Sequence, residues 1–161
     1  MVGIYGLKGL QAIRKLSGLI ELVKRGELMG YFVIKTKLPS LNEVIAKNRA
    51  NKYMAAQFKR DIETEIGYYI KQALTIGRLK PMGETPCVIY IEWHKKTKKM
   101  DVDNIHSSAK FILDALQKCG VIKNDNRKYV KQIYQKIVDD KEEYCKVFLV
   151  DVNCVILTIK E

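Results

Sequence analysis

The sequence predicts an α/β domain of the α+β kind, with helices packed on a small mixed β-sheet in the order β-α-β-α-β-β after an extra N-terminal helix. Three observations carry this. At 161 residues the chain has room for one real hydrophobic core and too little for two. Runs rich in β-branched and aromatic residues alternate with runs in which apolar residues return at helical spacing. Pro, Gly and acidic turns separate those runs, and no internal repeat, low-complexity tract or linker divides them.

In residues 7–25, Leu7, Leu10, Ile13, Leu16, Ile20 and Val23 recur at helical intervals with basic residues between them. This predicts an amphipathic helix ended by Gly26 or Gly30, so residues 1–30 form an extension that lays its apolar stripe on the main domain or a second subunit. The domain proper is expected over 31–161. Tyr31 to Leu38 is β-branched and aromatic and stops at Pro39, which predicts the first strand. A turn then leads into a basic stretch with Lys47, Arg49, Lys52, Lys59 and Arg60. There Phe58, Ile62, Ile66, Tyr69, Ala73 and Leu74 predict a long helix to about residue 75. Its basic start, interleaved with Tyr53, suits a phosphate backbone, with Arg49 and Lys52 as candidate DNA contacts; a solvated helix face is the plainer alternative.

A loop with two prolines and two glycines follows, and Cys87 to Trp93 alternates as a strand. Next come the run Lys95-Lys96-Thr97-Lys98-Lys99 and a helix burying Ile105, Ala109, Ile112, Leu113 and Leu116, up to Cys119-Gly120. On that helix Asp103, Lys110 and Asp114 share a side, and Lys110 with Asp114 is spaced for an i, i+4 ion pair. Tyr129 to Val138 and Tyr144 to Ile159 predict the last two strands, split by the acidic turn Asp139-Asp140-Lys141-Glu142-Glu143; the second breaks near Asp151 or Asn153.

Lys and Arg outnumber Asp and Glu by 29 to 18, and a net charge of +11 on so small a domain implies a polyanionic partner, nucleic acid before membrane surface. The four cysteines include no Cys-x-x-Cys pair and the chain has two histidines, which argues against a zinc ribbon or a disulfide framework. Free thiols in a reducing cytoplasm are expected instead. No run reaches the roughly 18 apolar residues of a membrane span. Charged residues from Lys8 to Arg25 also interrupt any secretion-signal core.

The chemistry concentrates in Asp101-Val102-Asp103-Asn104, entered from the Lys run. Carboxylates two residues apart in extended chain point to one side, where repulsion favours a bound cation or a shared proton. Asp125, after Gly120-Val121, adds a third carboxylate if its loop folds back toward the helix start. Three oxygen ligands beside a cationic rim point to Mg²⁺-assisted hydrolysis. The plainer reading is capping: Asp103 just before an apolar periodic run suits an N-cap. An EF-hand is excluded, because Ile105 and His106 stand where its loop needs an oxygen ligand and Gly. His94, beside the Lys run, is a candidate phosphate contact, and His106 a surface or groove residue.

From about Leu38 to the C-terminus the chain resembles the RusA-type Holliday junction resolvases, especially those of phages and prophages. The resemblance rests on the basic run, Asp101-Val102-Asp103-Asn104-Ile105, Lys110-Phe111-Ile112-Leu113-Asp114-Ala115-Leu116, Gly120-Val121 and Asn124-Asp125. Leu38-Pro39-Ser40-Leu41-Asn42-Glu43 and Asn48-Arg49-Ala50-Asn51-Lys52-Tyr53 also look like the phage branch. It implies a homodimeric, Mg²⁺-dependent endonuclease of DNA recombination and repair that nicks two opposed strands of a four-way DNA junction. It further implies that Asp101, Asp103 and Asp125 are catalytic metal ligands and that Lys110 assists, although the helix carries about one more turn before Lys110 than in the shortest relatives. Lys95, Lys96, Lys98 and Lys99 are the expected phosphate contacts. Two other functions fit the same charges: a non-catalytic basic DNA-binding protein and a metal-dependent RNA nuclease.

Overall fold

The computed structural model describes residues 28–152. The predicted N-terminal helix over 7–25 and the predicted strand beyond residue 152 lie outside the described residues. Four strands, β1 (Leu28–Ile34), β2 (Cys87–Lys95), β3 (Val130–Asp139) and β4 (Tyr144–Asp151), form one mixed sheet. The helices are α1 (Leu41–Ala50), α2 (Lys52–Thr75), α3 (Val102–His106) and α4 (Ala109–Lys118). The predicted class, α+β with helices packed on a small mixed sheet, holds.

The sheet order is β1-β4-β2-β3. β2 runs parallel to β3 and antiparallel to β4, and β1 runs antiparallel to β4. β2 therefore sits inside, and every one of its residues is buried. Alternation then sorts its side chains to two faces. Cys87, Ile89, Ile91 and Trp93 join Phe32, Ile34, Val147 and Leu149 in the main core, with Ile66, Ile70 and Ala73 of α2 and Ile112 and Leu116 of α4. On the opposite face Val88, Tyr90, Phe148 and Val150 form a second cluster with Tyr31 and Tyr134.

Because β3 and β4 flank β2 rather than each other, the Asp140–Glu143 connection crosses the carboxyl end of β2. The register fixes this, since Lys95 pairs with Asp139 and His94 with Tyr144. Ile34 pairs with Cys145, so β1 ends at the same edge. The outer rim of an α/β sheet beyond its strand carboxyl ends is where such folds place ligands. Here that rim receives the Lys run and the Asp pair.

Several boundaries differ from expectation. β1 covers Leu28–Ile34 rather than 31–38, because β4 starts at Tyr144, opposite Lys35, and offers no residue to pair beyond that. The basic stretch is helical from Leu41, and it breaks at Asn51, which ends α1 and whose side chain accepts from the amides of Tyr53 and Met54 to start α2. The helix after the Asp pair is split at Ser107 and Ser108, where the Ser108 hydroxyl donates to the Pro39 carbonyl instead of capping α4.

Candidate active site

Asp101, not Asp103, occupies the N-cap of α3; its backbone is extended there and its side chain makes no capping bond. Asp103 lies in the first turn of α3, so two expectations are corrected: that it caps the helix, and that it shares one extended segment with Asp101. α3 is a single short turn whose N-cap lies two residues earlier than the apolar periodicity suggested. Both carboxylates are exposed, and neither makes a hydrogen bond or ion pair with another described residue. Asn104, next along, keeps its side-chain oxygen buried without a partner.

Asp125 and Lys110 do meet. The loop after α4 folds back along the helix until Asp125 Oδ2 accepts from Lys110 Nζ at 2.5 Å. Val121 holds that loop through its carbonyl, which accepts from the Met82 amide at 2.7 Å. The predicted Lys110–Asp114 pair is present at 2.9 Å. Asp114 also pairs with Lys59 at 3.0 Å, and Lys59 with the buried Glu63 at 3.4 Å. Lys118 completes a ladder of alternating charge by bonding Glu63. The i, i+4 spacings of its Lys59–Glu63 and Lys110–Asp114 rungs are visible in sequence. The rungs joining α2 to α4 depend on the tertiary fold and carry no local signal.

The ladder decides what Lys110 can do. Hydrogen bonds to Asp125 first, and to Asp114, raise its pKa, so it stays an ammonium. Burial pushes the Asp114 carboxyl up, but the Lys110 and Lys59 ammonium groups outweigh it and hold the pKa below the usual value. Lys110 is thus a fixed positive charge rather than a proton acceptor at neutral pH.

The basic rim is uneven. Lys96 and Lys99 are exposed, and Lys98, exposed as well, pairs with the exposed Asp139 at 3.2 Å. Lys95 departs from expectation: as the last residue of β2 it is only 7% exposed, because the β3–β4 connection crosses over it and Asp140 donates its amide to the Lys95 carbonyl. Arg49 and Lys52 are exposed, one on each side of the α1–α2 break.

His94 is not a surface phosphate contact. It is 6% exposed, with Nδ1 at 2.8 Å from Asp140 Oδ2 and Nε2 at 3.2 Å from Glu92 Oε2. Its ring stacks on Tyr144 at 4.0 Å between centroids. His106 is half-buried with Nε2 unpartnered, and desolvation lowers its pKa.

Among the described residues no three His, Cys, Asp or Glu side chains gather into a metal-holding group. Asp101 and Asp103 nevertheless fit in their chemistry. Mg²⁺ is commonly held by one or two carboxylates, with waters and substrate phosphate completing its shell, and these two are accessible and spent on no other contact. Asp125 keeps Oδ1 without a partner while Oδ2 holds Lys110. No family model matches the chain, and no curated protein matches it.

Proposed function

We propose that this chain is a Mg²⁺-dependent endodeoxyribonuclease that cuts four-way DNA junctions by paired, symmetric nicks, as the resemblance to RusA-type resolvases implies. The observation that carries the reading is the pair of carboxylates at the start of α3, exposed, uncommitted to capping and entered from the Lys run. Structural carboxylates at a helix start ordinarily spend themselves on the first free amides.

Asp101 and Asp103 would hold the cation, with the free oxygen of Asp125 as the third candidate ligand. A bound Mg²⁺ supplies charge neutralisation on the phosphate and a more acidic water. The remaining work belongs to the chain. Lys110, kept charged by Asp125 and Asp114, offers a fixed positive charge to the phosphoryl oxygens as negative charge builds on them. Lys96 and Lys99 bind flanking phosphates. Two coordinated cuts across a two-fold junction call for two such sites related by two-fold symmetry, hence a homodimer.

The test is a nicking assay on matched four-way junction, duplex and RNA substrates, with Mg²⁺ and with EDTA, using the parent chain and Asp103→Asn. Paired nicks in the junction that EDTA abolishes are expected. Asp103→Asn should lose about 100-fold or more in cleavage, the scale of removing one charge-stabilising group, with junction affinity kept or slightly raised. Preferential cutting of RNA would move the substrate class. Binding without cleavage at any Mg²⁺ concentration would leave a DNA-binding protein, and cleavage by Asp103→Asn within a few-fold of the parent would end the metal role of Asp103.

A further inference from the structure

We propose that the groove between α1, α2 and α4 takes up an unpaired nucleobase displaced at the junction crossover, and so selects branched over continuous duplex DNA. This rests on the junction-cutting function proposed above and adds its recognition element. The groove has a volume of about 430 Å³, with Val44, Phe58 and Phe111 as apolar walls and Asn48, Lys52 and Lys59 as polar ones. That size falls in the range of roughly 300–1,000 Å³ that small-ligand sites span.

Phe58 is half-buried but belongs to neither apolar cluster of the fold, so the core does not explain it. The Lys47 ammonium lies 5.6 Å from its ring centroid. α1, which walls the groove, buries none of its own side chains, yet is fixed at its start by a capping box between Ser40 and Glu43. The groove therefore offers an aromatic surface, an amide able to pair with a base edge and lysine side chains in its walls. A planar, polar-edged ring carried on a phosphate chain matches all three; an aliphatic peptide side chain matches only the first.

Its position supports the same occupant. Lys59 on the groove wall bonds Asp114, which bonds Lys110, which bonds Asp125. One acidic and one basic side chain, Asp114 and Lys110, thus separate Lys59 on the groove wall from Asp125 at the end of the ladder, where the phosphate is proposed to sit. Extruding a base from intact duplex costs a few kcal/mol, and least where pairing is already broken. A groove of this kind therefore favours the crossover without reading sequence.

The experiment uses junctions carrying a single abasic site at each position flanking the crossover, with binding measured in EDTA for the parent, Phe58→Ala and Ala56→Trp. Ala56 lines the groove and is exposed, so Trp there fills the groove without entering the core. For the parent, one or two abasic positions should weaken binding about tenfold, the size of one base–aromatic stack. Each variant should lose about as much on the intact junction, lose nothing further on the abasic one, and keep the parent's affinity for duplex. Losses that multiply, or parent binding indifferent to every abasic site, overturn base capture while leaving junction cutting in place. No junction binding by the parent overturns both. Ala56→Trp decides if Phe58→Ala melts early. If Ala56→Trp turns a dimer into a monomer with abasic losses unchanged, the groove is an interface between copies and the proposal fails.

Discussion

His94 shows how far a single side chain can stand from its sequence neighbourhood. Beside a Lys run it looks like a phosphate contact, yet both ring nitrogens face carboxylate oxygens of Glu92 and Asp140. Asp140 arrives from the turn that crosses β2, so nothing within reach of His94 in sequence announces it. The bond from His94, with help from the Tyr144 hydroxyl and two backbone amides, lowers the Asp140 pKa to about 2. A depressed carboxyl pKa stabilises the fold above the unfolded value near 4, and that contribution is lost as pH falls toward the folded one. Acid titration of stability should therefore show a loss between about pH 4 and pH 2 that Asp140→Asn removes. Parent and variant curves of the same steepness in that window would show that the contact contributes nothing. By contrast, the Lys110–Asp114 pair was legible, because helical spacing alone brings those side chains together.

At the scale of elements, type and order were legible and boundaries were not, for reasons particular residues make plain. Hydrophobic periodicity reports the face turned to the core, so Ile66 and Ala73, both buried, revealed α2. Periodicity does not report where a cap interrupts the backbone. Asn51 adopts an extended conformation with φ −165°, ends α1 and accepts from two amides of α2. Replacing it with Ala leaves those amides to water and should cost about 1 kcal/mol, the usual worth of an N-cap. The denaturant midpoint should fall by that amount divided by an unchanged m-value. A midpoint equal to the parent's would show that packing of α1 on α2 alone sets the break. The Asp101–Asp103 pair was found for a local reason too, since spacing and charge sit in one stretch of sequence. Which of the two held the N-cap was not visible, because α3 spans only Val102–His106 and ends before a second apolar repeat can mark its start.

For the whole molecule, the excess of 29 basic over 18 acidic residues implies a polyanionic partner. Which lysines can meet that partner is a property of the fold. The crossing of β2 by the β3–β4 connection buries Lys95 and leaves Lys96 and Lys99 outside, with Lys98 in an exposed pair too weak to keep it from a phosphate. The four-residue basic run therefore divides into two tests. Replacing Lys96 and Lys99 together with Ala should reduce the log–log salt slope of junction binding by about 0.9 per lost duplex phosphate contact, about 1.8 for both, and weaken binding to every sequence alike. Lys95→Ala should instead lower the melting temperature and leave the slope where it was, because what it removes is an alkyl chain packed at the sheet edge. The contrast between the two variants matters more than either value. If the double variant keeps the parent's slope, the rim beside Asp101 and Asp103 does not face DNA. If Lys95→Ala flattens the slope with its melting temperature unchanged, the Lys95 ammonium reaches phosphate despite its buried stem.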